Sequence, residues 1–80
     1  MRLVMRANDG STRTFDLDTA TLPLVIGRDG DLAQVAIVDA QISRVHCRVL
    51  KVGEDWLVED LSSRNGTWLN GKRITKTEFL

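Results

Sequence analysis

Val45-His46-Cys47-Arg48-Val49-Leu50-Lys51-Val52-Gly53-Glu54-Asp55-Trp56-Leu57-Val58-Glu59 is the stretch on which the fold turns. Side chains of an extended chain point alternately to opposite faces, so Val45, Cys47 and Val49 share one face while His46, Arg48 and Leu50 share the other. The alternation predicts a strand within residues 42–52 with Val45, Cys47 and Val49 turned inward. Gly53-Glu54-Asp55 carries turn chemistry, and Trp56-Leu57-Val58-Glu59 reads as the returning strand.

The flanking sequence repeats this style. Leu3-Val4-Met5-Arg6 runs into the turn sequence Asn8-Asp9-Gly10, and Thr12-Arg13-Thr14-Phe15 resumes an extended run. In Leu22-Pro23-Leu24-Val25-Ile26 the proline, which cannot donate to a ladder, belongs at a strand start or an edge, and Gly27 ends the run. Thr67 to Ile74 is the clearest hairpin, because Asn70-Gly71 tolerates the positive dihedrals of a type I′ turn. Residues 31–37 have fair helix propensity, yet their length and β-branched end equally permit a loop entering a short strand. Trp56 and Trp68 are expected to be large core anchors. No repeat, low-complexity tract or linker interrupts the chain, so residues 1–80 read as a single all-β domain, a sandwich or small barrel.

Composition narrows the function. Eleven basic and eleven acidic residues cancel, so no overall field draws the chain to nucleic acid or an anionic membrane, and any anion must be held locally. The lone Cys47 forbids an intrachain disulfide and favours a reducing compartment. Without a signal-peptide pattern or an apolar run of membrane length, the expected setting is cytoplasmic.

Enzymatic readings fare poorly. Ser43, His46 and Asp60 are the residue types of a hydrolase triad, but no Gly-x-Ser-x-Gly elbow is present. Cys47 and His46 are neighbours on a predicted strand, point apart, and cannot couple as nucleophile and base. One histidine and one cysteine cannot furnish a metal site, so no metal is expected. Gly27-Arg28-Asp29-Gly30 has a spacing used to clamp nucleic-acid backbones, but helices should flank such a loop and its aspartates would repel phosphates. Asp29, Asp31 and Asp39 read as turn-capping residues, and the glycosylation pattern Asn65-Gly66-Thr67 as a turn.

Three blocks remain: Gly27-Arg28, Ser43-Arg44-Val45-His46, and Asp60-Leu61-Ser62-Ser63-Arg64-Asn65-Gly66-Thr67-Trp68-Leu69-Asn70-Gly71. In this order, with a strand pair between the second and third, they resemble the forkhead-associated (FHA) domain over residues 3–74. The resemblance implies a β-sandwich of short antiparallel strands whose loops at one end bind phosphothreonine-containing protein segments, with neither catalysis nor cofactor. It implies that Arg28 contacts phosphate, Ser43 donates its hydroxyl to it, Arg44 borders or contacts it, Arg64 lies near the phosphothreonine and Asn65 bonds the peptide main chain. Gly27, His46, Ser63, Gly66 and Thr67 support the loops, and Gln41, beside the Ser43 loop, contributes to specificity. From the opposite face to Cys47, one ring nitrogen of His46 is expected to tie the Ser43 loop to nearby backbone.

The residues carry that chemistry on their own terms. A phosphate monoester holds about −1.5 to −2 charges and three acceptor oxygens. Arginine offers a rigid fork and serine a short donor, while a glycine-bearing loop exposes backbone N–H groups. Two features depart from the family pattern. Gln34-Val35-Ala36-Ile37 stands where a small polar residue and an apolar strand are usual. Family domains also continue through two further strands after the hairpin, so the sandwich is expected to be incomplete at the C-terminus, with a sheet edge near Leu3-Val4-Met5 open to self-association. The alternative function is an assembly domain of the same architecture that docks unmodified protein surfaces.

Overall fold

The computed structural model describes residues 2–6 and 10–80. Among these, the strands are β1 (Arg2–Arg6), β2 (Thr12–Asp16), β3 (Leu24–Gly27), β4 (Val35–Ala36), β5 (Cys47–Val52), β6 (Asp55–Asp60), β7 (Thr67–Leu69), β8 (Lys72–Ile74) and β9 (Thr77–Phe79). Asn8 and Asp9 of the expected first turn lie outside the described residues. No helix among those described is long and apolar enough to cross a membrane.

The central sheet has the order β4-β3-β5-β6-β9, while β1 pairs with β2 and β7 with β8. Leu24, Ile26, Val35, Cys47, Val49 and Val58 from the central sheet meet Leu17, just after β2, and Ile74 of β8 in one core. Leu3, Met5 and Phe15 of the β1–β2 ribbon pack on that core from their side, and Leu69 from the β7–β8 hairpin. Two layers thus enclose one apolar interior, a β-sandwich of short strands.

The β5–β6 pairing runs from Cys47↔Asp60 to Val52↔Asp55 around the expected Gly53 turn, where Gly53 takes φ +62°. The β7–β8 hairpin turns at Asn70 (φ +52°) and Gly71 (φ +82°), the two positive dihedrals of a type I′ turn. Residues 31–37 resolve as turns entering the short strand β4 rather than as a helix. Gln34 holds this edge in place of a longer strand: its Oε1 accepts from Val25 N–H at 2.9 Å and its Nε2 donates to Pro23 O at 3.1 Å. The departure at Gln34 therefore caps the edge beside β3.

Within this largely antiparallel fold β3 and β4 run parallel, Ile26 opposite Val35, because the chain loops back before pairing. Three expectations are corrected. The predicted strand within residues 42–52 begins only at Cys47, leaving Val45 in a loop and half-buried. His46, just before β5, escapes the strand's alternation, so His46 and Cys47 are both buried. Trp68 is not a core anchor: in the β7–β8 register it lies opposite Arg73 on the outer face and is 57% exposed, while Trp56 is half-buried, packed against the core beneath Lys51. Aliphatic residues supply the interior, with Leu17 and Val49 the largest fully buried side chains.

The closing residues form β9 against β6, with Leu57 opposite Phe79. Leu17→Ala should lower unfolding free energy by about 2–5 kcal/mol, as cavity formation in a packed core does. Trp68→Ala should cost under about 1 kcal/mol, since only an exposed ring and its cation contact are lost. Urea denaturation of both variants checks the ranking, and a larger loss at Trp68 would overturn this assignment of the core.

Candidate functional site

The loops after β3, before β5 and after β6 converge at one end of the sandwich because the backbone ladder continues past the strands. His46 N–H donates to Ile26 O at 2.9 Å, Arg28 N–H to Ser43 O at 2.9 Å and Asp29 N–H to Arg44 O at 3.1 Å. This zipper requires glycine at position 27, where an added Cβ would collide with the Arg44 carbonyl.

His46 joins the third loop to the other two. Its Nδ1 accepts from Ser43 N–H at 3.1 Å, and its Nε2 lies 2.8 Å from Gly66 O. The amide only donates and the carbonyl only accepts, so these partners assign the ring proton to Nε2. Gly66, at φ +96°, presents that carbonyl from a conformation side-chain-bearing residues rarely adopt.

Asp60 organises the third loop. Its Oδ1 accepts from Ser63 Oγ and from Thr67 Oγ1 (2.8 Å), and its Oδ2 from Ser63 N–H (3.3 Å). Ser63 Oγ in turn accepts from Gly66 N–H at 3.1 Å. Partial burial of Asp60 opposes ionisation, but the Ser63 and Thr67 hydroxyls outweigh it and hold the carboxyl below its ordinary value of 3.8. Sequence reasoning placed Ser63 and Thr67 in support and missed Asp60, although Asp-x-x-Ser at a strand end is a recognisable local turn signal.

Above this framework lies an open recess of about 340 Å³ bordered by Arg28, Gln41, Ser43, Arg44 and Arg64. Arg28 Nε donates to Ile42 O at 3.1 Å, which fixes the guanidinium plane and commits one of its donors. Ser43 Oγ accepts from Arg64 N–H at 2.8 Å, so the hydroxyl proton is left to point elsewhere. Asn65 Nδ2 donates to Gln41 O at 2.7 Å and pins the third loop to the second. Arg44 is 67% exposed and pairs with Asp29 at 3.2 Å. The Asp31 N–H and then Arg44 hold the Asp29 carboxyl below its ordinary value.

The arrangement does not assemble a nucleophile. Both His46 ring nitrogens face backbone groups, and Ser43 Oγ faces an amide. Burial, then the Asp60 charge, pushes the Cys47 thiol up to about 12, far from the thiolate a nucleophile needs. The geometry instead gathers three guanidinium groups and a hydroxyl around one concavity, a donor-rich, positively charged recess.

This chain belongs to the FHA domain family, whose model matches residues 24–79. Over 53 residues it is 40% identical to the FHA domain-containing protein FhaB of Mycolicibacterium smegmatis, a match covering 66% of this chain and 34% of that one. The chain thus spans about a third of the length of the FhaB relatives it matches. The FHA domain of the CT664 protein from Chlamydia trachomatis superposes with a TM-score of 0.72 at 30% identity, over 99% of this chain and 77% of its own. A structure solved in a study of phosphothreonine-dependent FHA domain interactions gives a TM-score of 0.73 at 33% identity, over 99% and 75%.

Gly27→Ala should part the first two loops and cost about 1–3 kcal/mol, as overpacking against rigid neighbours does, measured by chemical denaturation. The Asp60 carboxyl also sets a pH dependence. Its value is lower folded than unfolded, so its stabilisation is complete above the ordinary value and lost as pH falls through the folded one. Asp60→Asn should therefore be less stable than the wild type at pH 7, and the gap should close in acid as the wild-type carboxyl protonates. A gap that stays constant from neutral pH to pH ~2 would contradict this.

Proposed function

We propose that the recess binds the phosphothreonine side chain of an extended protein segment, making this domain a phosphorylation-dependent protein-binding module. The observation that carries the reading is the shared border of the recess. The Arg28 guanidinium, its plane fixed on Ile42 O, and the Ser43 hydroxyl, its acceptor side occupied by Arg64 N–H, line one concavity. Membership of the FHA family, and likeness to a domain studied for phosphothreonine-dependent interactions, supports the same reading.

In this reading the terminal nitrogens of Arg28 and the Ser43 O–H donate to phosphate oxygens, and Arg44 and Arg64 add positive charge at the rim. With Nδ2 committed to Gln41 O, Asn65 offers its Oδ1 to a peptide N–H, and Gln41 borders the flanking ligand residue. Gly27, His46, Ser63, Gly66 and Thr67 hold these donors in place. About three charge-assisted bonds of ~1.5–3 kcal/mol each, less the cost of ordering the segment, separate the phosphorylated ligand from the unmodified one. Binding therefore couples a kinase acting elsewhere to assembly of a complex, without catalysis and in the cytoplasm, where the free Cys47 stays reduced.

Titration with matched threonine and phosphothreonine peptides tests this. The phosphorylated form alone should bind well, whereas equal affinity for both would favour an assembly domain docking unmodified surfaces. Arg28→Ala should weaken phosphopeptide binding about 10- to 100-fold, roughly 1.4–2.7 kcal/mol, with the fold intact by circular dichroism. Unchanged affinity would remove Arg28 from the role.

A further inference from the structure

On the hairpin that follows the third loop stands a feature that the phosphate reading does not use. Trp68 and Arg73 face each other across the β7–β8 hairpin on its outer side, with the guanidinium carbon 5.4 Å from the indole centroid. Both side chains lie against Gly66: a Cβ there would stand 2.7 Å from Arg73 Nε and 3.0 Å from the Trp68 ring. The pair therefore borders the same loop that carries Arg64 and Asn65. The ion pairs found among the described residues are Arg44–Asp29 and Arg48–Glu59, and Arg73 belongs to neither.

We infer that the Arg73–Trp68 pair forms a second subsite of the bound segment, selecting a ligand carboxylate, Asp or Glu, near the phosphothreonine; this rests on the proposed reading of the recess. A guanidinium stacked on an aromatic face keeps its in-plane N–H donors available, and a carboxylate accepts such donors in that plane. The indole supports the arginine in place, so less side-chain freedom is lost when the acid docks. Charge sets the sign of the selection. Arg28, Arg44 and Arg64 already border the neighbouring recess, so a basic ligand residue at this flank meets repulsion and an acidic one attraction.

The chain's own geometry bounds where that acid falls. Arg64 N–H contacts Ser43 Oγ at the recess, and Gly66, against which the pair lies, is two residues on. Two residues span at most ~7 Å, so the acid is expected within about four ligand residues of the phosphate.

The test is a positional scan by fluorescence anisotropy. It uses phosphothreonine peptides of otherwise neutral sequence, each carrying one glutamate between four residues before and four after the phosphothreonine. For the wild-type protein, glutamate at one position should raise affinity about five- to tenfold over the neutral peptide, with the gain shrinking in high salt. Arg73→Ala should abolish the gain while binding the neutral phosphopeptide within about twofold of wild type, as expected where only a flanking charge contact is lost. Arg73→Glu should move the preference from glutamate to lysine at that position. A flat scan in the wild type, or a gain that survives Arg73→Ala, overturns the subsite while leaving the phosphate reading in place. Failure of the neutral phosphopeptide to bind at all overturns both.

Discussion

Every polar group of His46 is engaged in holding the binding end together. Its backbone N–H meets Ile26 O, its carbonyl accepts from Leu61 N–H, and its ring spans from Ser43 N–H to Gly66 O. The residue is 7% exposed, so none of these bonds competes freely with water. Irregular loops have no ladder of their own to fix their separation. This buried imidazole supplies a rigid spacer between two of them, holding the Ser43 backbone N–H on one side and the Gly66 carbonyl on the other.

The charges are divided by task. Asp29, Asp39 and Asp60 each accept backbone N–H groups of nearby loop residues and so shape the turns. The arginines face outward, and Arg28 and Arg44 are steadied by partners that leave donors on the recess side. A chain of zero net charge thereby builds a locally positive site without a long-range field.

Much of this was legible because short-range chemistry carries it. The Gly53 and Asn70-Gly71 turns, the run of short strands, the place of Pro23 ahead of β3 and the clustering of Arg28, Ser43, Arg64 and Asn65 in loops all rest on local dihedral and hydrogen-bonding preferences. Where contacts between distant segments decide, sequence reading failed. Strict alternation separated His46 from Cys47, yet both are buried because the strand starts only at Cys47 and leaves His46 in the loop before it. Trp68 looked like core by size, but hairpin register turned it outward beside Arg73 and gave the interior to Leu69 and Ile74.

By itself the sequence determined a small all-β domain of the FHA family with Arg28, Ser43, Arg64 and Asn65 gathered in three loops, because turn residues and donor types act within a few positions of one another. Only the tertiary structure decided that the Gly27 loop zips onto residues 43 and 44, that Asp60 gathers the hydroxyls of Ser63 and Thr67, and that an arginine–tryptophan pair packs against Gly66. Those outcomes depend on how two sheet layers close over a shared core, and closure brings together side chains whose spacing along the chain carries no record of their distance in space.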